Sequence, residues 1–130
     1  MKMIFFFILI SNVGLAQNST LKVSIKGFEH NKGKLYLEVL DTNKKSVKQL
    51  VQAIADKKAM VEINDLPSGK YSVRVFHDEN DNKKLDTGMF GMPKEPWGMS
   101  NNVKAVMGPP DFKESLIDLK GNKEISITVH

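Results

Sequence analysis

The residues best suited to bind an ion are concentrated in the polar stretch HDENDNKKLDTG, His77 to Gly88. Four side-chain oxygen donors occupy positions 1, 3, 5 and 9 of a calcium-loop pattern: Asp78, Asn80, Asn82 and Asp86. Lys83 and Met89 stand where an EF-hand loop has Gly and a bidentate Glu. Any affinity for Ca²⁺, the one cofactor this pattern suggests, is therefore expected to be weak, ~10⁻⁴–10⁻³ M as in extracellular modules.

A second interpretation of the same stretch needs no metal. Asn and Asp side chains accept hydrogen bonds from nearby backbone and tolerate left-handed conformations, so the stretch is also typical of a self-bonded Asx-rich turn. His77 precedes it at a strand end, where histidines more often pack or donate hydrogen bonds than ligate. A hydrolase using His77 and Asp78 is the less favoured alternative. No nucleophile–base pair is recognisable in the sequence, and we predict that the protein is not an enzyme.

The only tryptophan, Trp97, lies in the stretch PKEPWG. It is interpreted either as a residue that covers an edge of the fold or as an aromatic that stacks on a ligand such as a sugar or a peptide. The candidate ligand-binding residues are His77, Trp97 and Asn101. They fall in a connection of about 26 residues without a strand pattern, and such long connections are usually functional or disordered. Its apolar residues predict that the 77–102 loop is ordered and packs on the fold.

The elements that would position this loop are β-strands. Apolar and polar residues alternate in short runs along the chain, and the turn residues between these runs predict about seven strands. We predict an all-β fold: a single antiparallel β-sandwich, prealbumin-like or immunoglobulin-like. The segment 47–54 has helical spacing, but its β-branched valines and position between strands favour a strand. The alternation at Val103, Ala105 and Met107 predicts another strand.

One turn has a specific structural role. Leu66-Pro67-Ser68-Gly69-Lys70-Tyr71 combines an apolar residue, a Pro-x-Gly turn and a tyrosine that opens the next strand. This arrangement is typical of a tyrosine corner, in which the hydroxyl bonds nearby backbone. Asp111 to Glu114 similarly resembles the cap of a single helical turn.

Composition and the beginning of the chain limit location and partners. The 130 residues carry 19 Lys and Arg against 15 Asp and Glu, a scattered excess that does not indicate nucleic-acid binding, and contain no cysteine. Residues 1–16 have the lysine, apolar run and small residues of a signal peptide, with cleavage expected near Ala16-Gln17. We therefore expect residues 17–130 to form an exported β-sandwich domain, periplasmic or extracellular, without a membrane span. Its ligand or envelope partner is unknown. Because the final strand runs to residue 130, we expect that its edge could pair with a strand of another chain in the cell envelope.

The block HDENDNKKLDTGMFGMPKEPWGMSNN, with the later GPPDF, resembles the signature of the bacterial secreted domain of unknown function 2141 family. The shared pattern is approximately H-D-x-N-x-N-x-x-L-D, G-M-P-K-E, G-x-S-N-N and G-P-P-x-F. Members commonly have Gly where this chain has Lys83. The resemblance implies a small exported β-sandwich whose biochemical function is not established. On the residues alone we expect a non-enzymatic binding module whose 77–102 loop forms the functional surface, with a structural role in the envelope as the alternative.

Overall fold

A computed structural model describes residues 18–79, 95–105 and 108–130. The described residues contain β-strands and short 3₁₀ turns but no α-helix. In chain order the strands are β1 Ser19–Lys26, β2 Lys34–Leu40, β3 Ser46–Gln52, β4 Lys58–Leu66, β5 Gly69–Asp78, β6 Trp97–Met99, β7 Leu116–Leu119 and β8 Lys123–Thr128. The predicted all-β class is confirmed, and so is the strand at 46–52.

Two sheets form a sandwich-like arrangement. The smaller has the order β4-β1-β8, and the larger has the order β3-β2-β5-β6, with β7 also pairing with β5. β7 covers one edge of β5 from Gly69 to Ser72, and β6 continues along β5 from Arg74 to Phe76. All pairings are antiparallel except that of β1 with β8, which is parallel. β5 thus pairs with β2 along one edge and with β7 and β6 along the other.

The core lies between the sheets because inward residues alternate along each strand. On β5 these are Tyr71, Val73, Val75 and His77, all 7% exposed or less. The largest fully buried apolar side chains come from both sheets: Leu21, Ile25, Leu35, Ile63, Leu66, Leu119 and Ile127. The outward residues of β2 and β5 form a second surface on the opposite side of the larger sheet.

The predicted tyrosine corner is present. The Tyr71 hydroxyl donates to the Pro67 carbonyl at 2.6 Å, and the side chain is 7% exposed. Burial, together with the charge of Asp41, raises the pKa of Tyr71. The predicted single turn is also present as a 3₁₀ turn at Phe112–Ser115, where the Asp111 carboxylate accepts from Lys113 N–H at 3.0 Å.

The strand predicted around 103–107 is wrong for the residues that are described there. Residues 103–105 are not in a strand, and the strand of this region is β6, before them. Asn101 and Asn102 have positive φ and turn the chain away after β6. The free edge of β5 is already occupied by β6 and β7, so residues 103–105 have no strand edge of β5 left to join.

Candidate functional site

A groove of about 900 Å³ lies on the outer face of the larger sheet. Its floor is built by directly opposed residues of four neighbouring strands. Val51 faces Tyr36, Tyr36 faces Phe76, and Phe76 faces Trp97. The Tyr36 and Phe76 rings stack with centroids 5.0 Å apart. The strand register therefore creates an apolar row that runs across the sheet and contains three aromatic residues.

A polar row lies beside the aromatic row, two residues along each strand. Gln49 faces Glu38, and Glu38 faces Arg74. The Glu38 carboxylate accepts from Arg74 Nε at 2.7 Å and from Gln49 Nε2 at 2.9 Å, and it forms an ion pair with Arg74 Nη2. Burial raises the pKa of Glu38, but hydrogen bonds from Gln49, Ser46 and Arg74 outweigh it and hold that pKa below its ordinary value. The side chain of Arg74 is 57% exposed, so this row remains accessible to a ligand.

One wall of the groove is formed by the segment that precedes β7. Pro109, Pro110 and Phe112 line it, and the Lys44 ammonium lies 5.5 Å from the centroid of the Phe112 ring. This wall is fixed to β5 at the point between β7 and β6. There the Ser100 hydroxyl accepts from Val73 N–H at 3.0 Å and donates to the Ser115 carbonyl.

The serines of this connection are structural. Ser72 and Ser115 share a hydrogen bond at 2.6 Å, and the Ser115 hydroxyl also contacts the Phe112 carbonyl at 2.6 Å. All three serines are fully buried. Their hydroxyls form hydrogen bonds with backbone groups at the point along β5 where pairing with β7 ends and pairing with β6 begins. These hydrogen bonds keep the wall of the groove next to its floor.

Trp97 reaches the groove because β6 packs closely on the end of β8. Trp97 and His130 exchange two backbone hydrogen bonds of 3.2 and 3.0 Å. A Cβ at Gly98 would lie 2.7 Å from the Ile127 side chain and 2.9 Å from the Thr128 carbonyl oxygen. Only glycine fits at this close approach.

A second cluster lies on the inner side of β5, at its end. His77 is fully buried, and its Nε2 contacts the Lys32 carbonyl. Its ring is 4.9 Å from the His30 ring and 5.2 Å, edge-on, from Phe28. His30 Nε2 lies 2.5 Å from a carboxylate oxygen of Glu79. Gly33, with φ +73°, lets this loop approach β5, since a Cβ there would overlap the Asp78 carbonyl oxygen.

The groove and the cluster belong to a chain whose family can be recognised. The profile of a bacterial family described as "uncharacterized protein conserved in bacteria (DUF2141)" matches residues 23–128. The chain belongs to the DUF2141 family. No curated protein matches the sequence. In the ranges 18–79, 95–105 and 108–130 of this DUF2141 protein, no helix is long and apolar enough to cross a membrane.

The predicted site residues have different positions in the DUF2141 fold. Trp97 lines the groove, whereas His77 points to the opposite side of the sheet. The Asn101 amide donates to the carbonyls of Glu114 and Leu116, at 2.9 and 3.1 Å, and does not line the groove. Asp78 is fully buried. The other three predicted calcium ligands lie outside the described residues: Asn80, Asn82 and Asp86.

Sequence reasoning missed most of the groove. Tyr36, Glu38, Arg74 and Phe76 were visible only as the outward members of alternating strands. The sequence feature that could have indicated the groove is that Tyr36 and Phe76 occupy outward positions on different strands, where polar residues are usual. Only the register of β2 and β5 places them opposite each other.

Proposed function

We propose that this DUF2141 protein is an exported binding module that holds a carbohydrate chain in the groove of the larger sheet. The observation that carries the proposal is the aromatic row Tyr36, Phe76 and Trp97 beside the polar row Gln49, Glu38 and Arg74. Ligand sites are typically concave, largely apolar, and supplied with a few well-placed polar groups. The groove volume falls in the range of such sites.

Carbohydrate is the ligand class that suits two parallel rows of this kind. A pyranose ring presents apolar C–H groups on its faces and hydroxyls at its edge. The C–H groups suit aromatic side chains, which bury large apolar area with little loss of conformational freedom. The hydroxyls suit the fixed Glu38 carboxylate and the exposed Arg74 guanidinium, which offers five N–H donors in a planar fork.

The burial of His77 and Asp78 favours the groove over an enzymatic site at these two residues. His77 and Asp78 are both fully buried, and neither lines the groove. The hydrolase alternative therefore has no accessible pair of groups to support it. Calcium binding by Asp78 with Asn80, Asn82 and Asp86 stays a prediction, because three of these residues lie outside the described residues.

Pairing of the final strand with another chain is less well supported. Val129 N–H donates to the Lys26 carbonyl at 2.9 Å, and His130 exchanges two hydrogen bonds with Trp97. The Thr128 N–H donates to the Asn102 side chain at 2.9 Å. The backbone of residues 128–130 is thus used within the chain, whereas among the described residues β8 from Lys123 to Ile127 pairs only with β1 and lies at the edge of the smaller sheet.

Titration with soluble oligosaccharides tests the proposal. Gluco-, chito- and manno-oligosaccharides are added to the protein while the emission of Trp97 and the amide NMR shifts are followed. We expect saturable shifts at Trp97 and at residues of β2 and β5. Trp97→Ala and Arg74→Gln should each weaken binding by about tenfold or more, as expected for anchor residues of a binding site.

Met60→Ala is the matched control, because Met60 is an apolar side chain that is 52% exposed but lies on the smaller sheet. It should leave the affinity unchanged. Binding that is equally strong in the Trp97→Ala variant would refute the groove. A response to extended peptides but to no oligosaccharide would refute the ligand class.

A further inference from the structure

The cluster at the inner end of β5 has the donor groups of a transition-metal site. One ring nitrogen each of His30 and His77 and one carboxylate oxygen of Glu79 lie within 4.8 Å of one another. The three residues come from two places in the chain: the loop between β1 and β2, and the end of β5. Two imidazoles and a carboxylate are a common protein donor set for Zn²⁺, and they leave a fourth position for water.

The tautomer of His77 leaves a nitrogen lone pair that could bind a metal ion. Its Nε2 contacts the Lys32 carbonyl, which only accepts, so Nε2 carries the proton and Nδ1 has the lone pair. Nδ1 is buried and has no hydrogen-bond partner among the described residues. Buried acceptors are nearly always satisfied, and an exception is expected to be met by an ion or a water.

His30 and Glu79 provide the side from which an ion can enter. Their side chains are 36% and 30% exposed, whereas His77 is fully buried. His30 Nδ1 accepts from Lys32 N–H at 3.1 Å, so the 2.5 Å contact between His30 Nε2 and Glu79 contains a proton. A metal ion bound at Nε2 would displace this proton, and the neutral imidazole would then carry its proton on Nδ1 in place of the hydrogen bond from Lys32 N–H.

Neighbouring groups already orient the donors. The Lys32 carbonyl fixes the tautomer of His77, the kind of outer contact that metal-binding histidines usually have. Glu79 N–H donates to the Glu95 carboxylate at 2.7 Å, and Glu95 is 6% exposed. From these contacts we infer that His30, His77 and Glu79 bind a divalent transition-metal ion of the Zn²⁺ class. The ion would tie the loop between β1 and β2 to the end of β5.

The test uses the full chain after treatment with a chelator, titrated with Zn²⁺ by calorimetry and with Co²⁺ by visible spectroscopy. Zn²⁺ at 100 times its Kd should raise Tm by roughly 10 °C. His30→Gln and Glu79→Gln should each weaken Zn²⁺ binding by at least about tenfold. Both positions are partly exposed, so these variants are expected to fold, and circular dichroism checks that they do.

Two exposed residues outside the cluster supply matched controls: His130→Gln, at the third histidine of the chain, and Glu124→Gln on β8. Both should bind Zn²⁺ as the unmodified protein does. The absence of saturable Zn²⁺ binding would overturn the inference, and so would equal affinities in the unmodified protein and in His30→Gln. An equal Tm shift with Ca²⁺ that survives in both cluster variants would also overturn it, because the ion would then bind elsewhere. None of these outcomes depends on carbohydrate binding.

Discussion

Replacing Gly98 with alanine tests the contact that places Trp97 in the groove. The added Cβ would lie 2.7 Å from Ile127 Cγ2 and 2.9 Å from the Thr128 carbonyl oxygen. The backbone oxygen cannot rotate away, so β6 and the end of β8 must separate. Such overpacking typically costs about 1–3 kcal/mol. At roughly 4–8 °C per kcal/mol for a small domain, the expected fall in Tm is about 4 to 24 °C.

Gly69→Ala is the control for Gly98→Ala. A Cβ at Gly69 meets only the Tyr71 ring at 3.8 Å, an ordinary contact, and φ at Gly69 is not in the left-handed region. This variant should be neutral or slightly more stable, by up to about 1 kcal/mol. Thermal unfolding followed by circular dichroism gives Tm, and the emission of Trp97 reports the neighbouring groove. A Gly98→Ala protein with the Tm and emission of the unmodified protein would refute the requirement for glycine where β6 packs on the end of β8.

Two further substitutions test interactions of the larger sheet. Tyr71→Phe removes the 2.6 Å hydrogen bond to Pro67 and should cost about 1 kcal/mol in urea unfolding at neutral pH. Because the folded pKa of Tyr71 is raised, the unmodified protein should also lose stability as pH rises above about 10, and the variant should lose less. The folded pKa of Glu38 is lowered, so its stabilisation is present above the ordinary pKa of a glutamate and lost as pH falls through the folded value. Unfolding midpoints between about pH 5 and pH 3 should therefore decrease more steeply in the unmodified protein than in Glu38→Gln, and parallel curves would contradict the assignment.

The alternation of apolar and polar residues in the sequence identified those strands that have an uninterrupted row of buried side chains on one face. Every second residue is buried in β1 and in β4 as far as Asn64, so the sequence itself records which face meets the core there; in β5 Ser72 and Asp78 are buried in addition to the alternating inward residues. β6 has only three residues, and its strand conformation depends on the free edge of β5. No pattern in Trp97-Gly98-Met99 contains that information. For the same reason, the alternating residues from Val103 predicted a strand that is not present at 103–105, where β5 has no edge left to offer.

Site residues could be predicted from the sequence only where a single residue is distinctive by its type or by the motif around it. Trp97 was identified because it is the only tryptophan, and Tyr71 because its turn has a known role. The aromatic row and the His30–His77–Glu79 cluster both depend on pairing between segments far apart in the chain. His30 was unremarkable in the sequence, and only the loop that contains Lys32 and Gly33 brings it to the end of β5.

The groove and the histidine cluster share one stretch of backbone. Phe76 is paired with Trp97, His77 N–H donates to the Pro96 carbonyl at 2.8 Å, and Glu79 N–H donates to the Glu95 carboxylate at 2.7 Å. Successive residues of β5 point to opposite faces, so Phe76 faces the groove and His77 faces the core. A carbohydrate and a metal ion would therefore act on opposite sides of the same strand without touching a common side chain. Because no side chain is shared, each proposal can fail while the other stands, and the Trp97 and His30 variants separate them.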